Sequence, residues 1–377
     1  MKVLQITPEA PDFKSGGTIG VLQSLLMLKQ SGCCVDYIGP EIPNKSIASK
    51  YSKLTFLKKS SGFFELLFTF LSGQTNKRYM AWKRLIYDFS DYDLVYLDFT
   101  KQDYVIKRVF KTGIPVVVRV HNIEYDYSKN DYRTSKTLKT FFVYLSSKKK
   151  ERFVLKKSNE IIALTDVDKQ RILNLYGLDK NINVIPVCLD ANNKMIYSTQ
   201  NECTNILING SLWYGPNLDG INWFLKSVYP FIKCNNKLII AGSNPPPELI
   251  DSCEKLGVEI VPNPKTMDSY LEWADIVVAP IFSGAGMKVK IAEALSYGKI
   301  VITTKHGSIG YHLTDGLNSF VRDDASGFLE CIHKYSMLPI NKKNELSLNA
   351  RNLFDETYSI ACGSKLLEKI INKYADE

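Results

Sequence analysis

The residues best placed to do chemistry lie between Ser283 and Glu293, in the run SGAGMKVKIAE. Ser283, Gly284, Ala285 and Gly286 form a Gly-rich turn after an apolar run at 274–280. Residues 287–297 then read as a helix that ends at Gly298. A loop of this kind turns backbone N–H groups toward a helix N-terminus, where phosphate binds. Lys288 and Lys290 fall in the first helical turn, where a cation opposes the helix dipole at about 0.3–1 kcal/mol each. A bound diphosphate would offset that penalty. Glu293 lies about one turn further on, near the face that carries Lys290. The backbone at Gly284, Ala285, Gly286 and Met287, with Lys288, Lys290 and Glu293, can therefore hold a nucleoside diphosphate and its ribose. The competing reading is a surface helix with solvated lysines.

Three other groups of residues carry functional expectations. Gly16 and Gly17 sit in a loop at 8–20, after an apolar run at 3–7, and paired glycines let a substrate or phosphate approach the backbone closely; a plain flexible turn is the alternative. His121 and Glu124 belong to HNIEYDY at 121–127, directly after the apolar run at 116–120. A polar, aromatic segment at the C-terminal end of a strand is where open α/β sheets bind ligands, so His121 is a candidate partner for a sugar hydroxyl. Lys148, Lys149 and Lys150 lie in a Lys-rich helical stretch at 136–157 interleaved with aromatic residues. They read either as a patch for an anionic membrane surface or acceptor, or as a solvated helix face. The helix at 63–71, FFELLFTFL, reads either as core or as a membrane-lying helix near Lys77, Arg78, Lys83 and Arg84.

The elements that must position these residues alternate strand, helix, strand in both halves of the chain. Strands are predicted at 3–7, 34–38, 93–97, 116–120, 160–164 and 184–187, then at 206–208, 238–241, 258–260, 276–278 and 300–304. A helix at 166–176 has Thr165 as its N-cap. The polar stretch 189–204 reads as an interdomain linker. Alternation of this kind predicts an α/β protein of two Rossmann-like domains facing a cleft, with a last helix at about 364–374 packing back on the N-terminal domain. The 377 residues, 45% hydrophobic and 23% charged, fit two globular domains.

A net charge of +9 suits an anionic partner, and no nucleic-acid fold signature is present. The eight cysteines are scattered without a Cys-x-x-Cys pair, and the four histidines show no metal-ligand spacing, so reduced thiols and no metal are expected. The first residues do not read as a signal peptide, and no run reaches the length of a membrane span, which predicts a cytoplasmic protein.

Taken together, these stretches resemble the retaining glycosyltransferases of family 4, which have the GT-B fold. The resemblance rests on Gly16–Gly17, on HNIEYDY at 121–127, on VIPVCLD at 184–190, on GSLWYGPNLDGINWF at 210–224 and on SGAGMKVKIAEALSYGKIVITT at 283–304. It implies an acceptor-side domain at 1–188, joined by about 360–377, and a donor domain at 205–359. It implies a hexosyltransferase that moves a sugar from a nucleotide-diphosphate sugar to a glycan, lipid-linked or protein acceptor with retention of configuration. It also implies that no cofactor or metal takes part. The expected setting is surface polysaccharide assembly, at the inner face of the cell membrane.

Carried over by position, Glu293 matches the family's ribose-binding acid, His121 the histidine near the donor sugar, and Gly16 and Gly17 the glycine loop near phosphates and acceptor. Position 285, where many members have a second acid, is Ala285. In this the chain resembles a branch with a Gly-rich loop followed by a basic residue. Ser211, Tyr214 and Asn217 stand where many members have an Arg and a Lys, which leaves Lys288 and Lys290 to neutralise the leaving diphosphate. Two alternatives on the same architecture are a nucleotide-sugar 2-epimerase and a non-catalytic nucleotide- or membrane-binding homologue.

Overall fold

The structure, a computed structural model, describes every residue except 14, 72, 73, 75, 191–202, 233, 235 and 375–377. Two compact units divide the chain. The first runs from Met1 to Pro186 and resumes at Gly363; the second runs from Val187 to Cys362.

Seven parallel strands build the sheet of the first unit: β1 (Lys2–Ile6), β2 (Cys34–Gly39), β3 (Leu54–Phe56), β4 (Leu94–Asp98), β5 (Val116–Val120), β6 (Glu160–Ala163) and β7 (Ile182–Val184). Their order is β3-β2-β1-β4-β5-β6-β7. A parallel sheet is covered by helices on both faces, so its strands are apolar on both sides. Val116–Val120, VVVRV, is buried at every position. Its one charged residue, Arg119, donates from Nη2 to the Pro186 carbonyl at 2.9 Å and from Nη1 to Ser24 Oγ at 3.4 Å. A buried guanidinium is tolerated only with such partners.

The second unit repeats the plan with β8 (Thr204–Ser211), β9 (Asn236–Ser243), β10 (Glu259–Pro262), β11 (Ile276–Ala279), β12 (Ile300–Thr303) and β13 (Ser319–Val321). Their order is β10-β9-β8-β11-β12-β13, again parallel throughout. Both units are therefore Rossmann-like α/β domains, as the alternation predicts. In each sheet the order reverses beside the first strand, between β1 and β4 and between β8 and β11. Ligands bind at such switch points, outside the carboxyl ends of the strands.

Local chemistry accounts for most boundaries. The helix Asp166–Tyr176 starts where its cap requires: Thr165 Oγ1 accepts from Asp168 N at 2.9 Å. The helix after β1 begins at Gly16, inside the stretch 8–20 expected to be a loop, because Ser15 and Thr18 form a reciprocal capping box. The helix Phe63–Leu71 has the predicted bounds but does not enter the core: Phe63 is 73% and Phe64 82% exposed. The last helix, Ile360–Ile371, joins the first unit from Gly363 on, through Ser31 Oγ to the Ser364 carbonyl at 3.4 Å and Lys373 Nζ to Glu160 at 2.7 Å. Most of the predicted linker, 191–202, lies outside the described residues.

Candidate functional site

In the second unit, the loop after β11 leads into the helix Val289–Ser296, two residues later than predicted. Lys288 is therefore the N-cap, and Lys290 alone of the two lysines lies within the helix. Gly284 and Gly286 adopt φ of 100° and 72°, which favours glycine. With the backbone so turned, the carbonyls of Gly284, Ala285 and Gly286 accept from Lys288 Nζ at 3.1, 3.1 and 2.7 Å. His306 Nε2 lies 2.8 Å from the Gly284 carbonyl, and Tyr311 OH donates to the Lys288 carbonyl at 2.9 Å. Met287 is buried, and its Sδ accepts from Val187 N at 3.4 Å. The Lys288 ammonium thus shapes the loop as well as supplying charge.

Lys290 reaches across the switch point to the first turn of the helix Gly215–Ser227, which follows β8. Its Nζ donates to Asn217 Oδ1 at 3.0 Å, and Asn217 Nδ2 donates to the Ser211 carbonyl at 2.9 Å. Gly210, with φ of 125°, makes room: a Cβ there would lie 3.0 Å from both Cε and Nζ of Lys290. Glu293 follows Lys290 by three residues, on the same face. Its Oε2 accepts from Asn209 Nδ2 at 3.4 Å. Burial pushes Lys290 down to about 8, against the pull of the Glu293 charge, and burial likewise raises Glu293. Asn209 Oδ1 is buried without a hydrogen-bond partner among the described residues. The site therefore gathers Asn209, Gly210, Asn217, Lys290 and Glu293 around polar capacity that an anion and a hydroxyl-bearing ligand can use. Ser211 and Tyr214 flank it, with Tyr214 OH 3.4 Å from where a Gly284 Cβ would lie.

The first unit presents a different constellation at its own switch point. His121, directly after β5, is buried and holds Asp98 Oδ1 with Nε2 at 2.7 Å. Asp98 also accepts from Ser24 Oγ at 2.7 Å and, at Oδ2, from Gln5 Nε2 at 2.7 Å. Tyr51 OH donates to Gln5 Oε1 at 2.8 Å. Burial lowers the His121 pKa in spite of the Asp98 carboxylate, so the ring is neutral and donates from Nε2. Nδ1 packs on Gly20, where an added Cβ would lie 2.5 Å away. The ring also leans on Phe99, with centroids 4.4 Å apart. Phe99 has φ of 67°, a strained state for a bulky residue, at the end of β4. Lys101 caps the Phe99 ring at 4.5 Å and pairs with Glu9 at 2.8 Å.

Gly16 and Gly17 are not a flexible turn, since they open a capped helix and neither has a positive φ. Gly17 packs close to the end of the Glu9 side chain: a Cβ would lie 2.7 Å from Glu9 Oε2. Glu124 starts the helix Glu124–Ser135, whose first amides, of Glu124 and Tyr125, donate to the buried Glu151 at 3.0 Å each. Burial pushes Glu124 up to about 7, with Glu151 and Glu9 adding to the rise and Lys101 opposing it.

Lys148, Lys149 and Lys150 do not make one patch, because successive helical residues turn by about 100°. Lys148 lies 5.5 Å over the Tyr125 ring, Lys149 is exposed, and half-buried Lys150 is held below its usual pKa by desolvation. Sequence reading missed Asp98, Glu9, Lys101, Phe99 and Gly20. The available signal for Asp98 was its place at the end of an apolar strand; Phe99 and Gly20 carry none.

Three comparisons bear on this geometry. Residues 203–336, which lie in the second unit, match the family model of glycosyl transferases group 1. The whole chain is similar to an uncharacterized 44.6 kDa protein in the cps region of Klebsiella pneumoniae, at 24% identity over 95% of this chain and 96% of that protein. Among solved structures, sucrose-phosphate synthase from Thermosynechococcus elongatus aligns over 100% of both chains, with a TM-score of 0.74 and 13% identity. HepE of Anabaena, solved with UDP and glucose, aligns over 98% of this chain and 99% of its own, with a TM-score of 0.71 and 13% identity. At such identities the likeness concerns the fold, which is GT-B.

Proposed function

We propose that this chain is a hexosyltransferase that moves a sugar from a nucleoside-diphosphate sugar to a hydroxyl of a glycan, lipid-linked or protein acceptor, with retention of anomeric configuration. The observation that carries the reading is the Lys290–Glu293 face at the switch point of the second sheet, beside the Lys288 loop. With that loop it offers two cations to a diphosphate and one carboxylate to a ribose, which supports the reading. The match to group 1 glycosyl transferases supports it, as does the fold shared with a protein solved with UDP and glucose.

In this reading the bond between the anomeric carbon and the diphosphate oxygen breaks, and negative charge grows on the leaving diphosphate. Lys288 and Lys290 stabilise that charge, in place of a metal ion. Burial holds Lys290 at about 8, and a bound diphosphate would hold its proton firmly. The acceptor hydroxyl attacks from the leaving-group face, and its proton passes to a diphosphate oxygen. The flanking carboxylate pair of glycoside hydrolysis is then not required. Glu293 accepts from the ribose hydroxyls. In the first unit His121, fixed in one tautomer by Asp98, is the candidate partner for a sugar hydroxyl, and Gly16 and Gly17 open a capped helix. A part in surface polysaccharide assembly is in keeping with the similarity to a protein in the cps region of Klebsiella pneumoniae.

A thermal-shift series with UDP-, GDP- and dTDP-sugars tests the reading. One donor class is expected to raise the melting temperature of the native protein and to raise it less in Lys290→Met. Absence of any shift across the panel, or an equal shift in the variant, would remove the donor site from this face. Incubation with the bound donor but no acceptor separates transfer from epimerisation.

A further inference from the structure

Two exposed helices of the first unit, which no catalytic reading uses, adjoin each other. Phe63–Leu71 turns Phe63, Phe64, Leu67, Phe68 and Phe70 outward. This helix is nine residues long, about 14 Å, and no helix among the described residues is long and apolar enough to cross a membrane. Phe70 meets Phe142 of the helix Leu138–Lys157 edge to face, with centroids 5.9 Å apart. On that second helix 138, 142, 145, 149, 152 and 156 are exposed and advance by three or four, so they form one stripe, beside which Lys139 and Lys148 are also exposed. Its first half is Leu138, Phe142 and Leu145; its second half is Lys149, Arg152 and Lys156.

We propose that these two helices form a bilayer-docking surface, in which the aromatic side chains enter an anionic leaflet and the basic stripe meets lipid phosphates. Five large apolar side chains turned outward from a single short helix exceed the scattered exposure of an ordinary surface. The rim selects the occupant. Lys77, Lys83 and Arg84 are exposed beside the first helix, and Lys83 Nζ sits 4.4 Å over the Phe68 ring. The basic half of the stripe adjoins the second. A helix lying flat with its apolar side in the acyl boundary and Lys and Arg at the headgroups satisfies both features. A second copy of the chain would bring the same positive rims together, which disfavours self-association. The surface goes beyond the proposed function. It is assayed with no sugar donor, so its failure leaves the donor site untouched.

The test is co-sedimentation of the full chain with vesicles of phosphatidylcholine, alone or mixed with phosphatidylglycerol. The native protein is expected to bind only the mixed vesicles. Phe63→Ser combined with Phe64→Ser should weaken partitioning by about tenfold or more. Lys149→Glu combined with Arg152→Glu should do so by about tenfold as well, with the remaining binding less sensitive to salt. Thermal melts of both variants should match the native protein, because the altered side chains are exposed. The proposal is overturned if the native protein ignores anionic vesicles or if both variants bind them undiminished. It is equally overturned if light scattering shows a lipid-free dimer that the Phe63→Ser, Phe64→Ser variant dissolves.

Discussion

The two units share a strand order and a switch point, yet they fill that point with opposite chemistry. In the second unit the groups are charged and incompletely satisfied. Lys290 is buried enough to sit near 8, Glu293 is raised, and Asn209 Oδ1 lacks a partner among the described residues. In the first unit a neutral His121 is locked by Asp98, and the carboxylate itself is saturated by Ser24 and Gln5. A site with unmet polar capacity is built to take an ionic ligand; a saturated one is built to hold a side chain in a fixed place.

Removing charge from the second unit should produce the largest effect. Lys288→Ala is expected to lower kcat by about a hundredfold or more, since it removes both a charge at the leaving group and the clamp on three loop carbonyls. Turnover within a few-fold of native would place the leaving group elsewhere. Disturbing orientation in the first unit should cost somewhat less. Gly20→Ala puts a methyl where His121 Nδ1 now packs, and a displaced ring is expected to lower kcat by about ten- to a hundredfold while donor affinity holds. Equal loss in both constants would mean that the first unit binds donor rather than orienting it.

Smaller effects follow from titration. With burial holding Lys290 at about 8, nucleoside-diphosphate affinity should fall as pH rises above about 8, because the neutral amine no longer attracts the phosphate. Lys290→Met should bind about tenfold more weakly at pH 7, a loss of about 1.4 kcal/mol, and show a flat profile. A native profile that is equally flat in calorimetry would contradict that role.

The smallest change concerns stability. The Glu124 carboxyl keeps its proton up to about pH 7 in the folded chain but releases it near 4.5 when unfolded. Between those values the folded state binds more protons, so stability falls as pH rises through that window. Glu124→Gln should therefore melt a few degrees higher than native at pH 8 and alike at pH 4. No difference at pH 8 would show that Glu124 titrates as an exposed acid.

Legibility in the sequence followed how local each interaction is. The helix Asp166–Tyr176 was readable to the residue because its cap lies within three residues of its start. The buried strands declared themselves as short β-branched runs, Val116–Val120 above all. The loop at 283–286 showed its glycines, but not that its carbonyls converge on Lys288. That requires φ values that only the folded loop displays. Lys148, Lys149 and Lys150 looked like one patch because they are adjacent in sequence, whereas the helix scatters them. The helix at 63–71 shows the limit most plainly: its periodicity fixes a helix, but whether it lies inside or outside depends on what packs against it.

The sequence by itself determined the alternation of strands and helices, the two similar halves, and the residue types of the phosphate loop, because each depends on neighbours a few positions apart. Tertiary structure alone decided that Lys290 reaches Asn217 across 73 positions, that Asp98 fixes His121, that strained Phe99 supports its ring, and that Phe70 meets Phe142. These are contacts between segments joined only by the winding of the sheets. Their energies depend on burial and distance, which no local pattern of residues encodes.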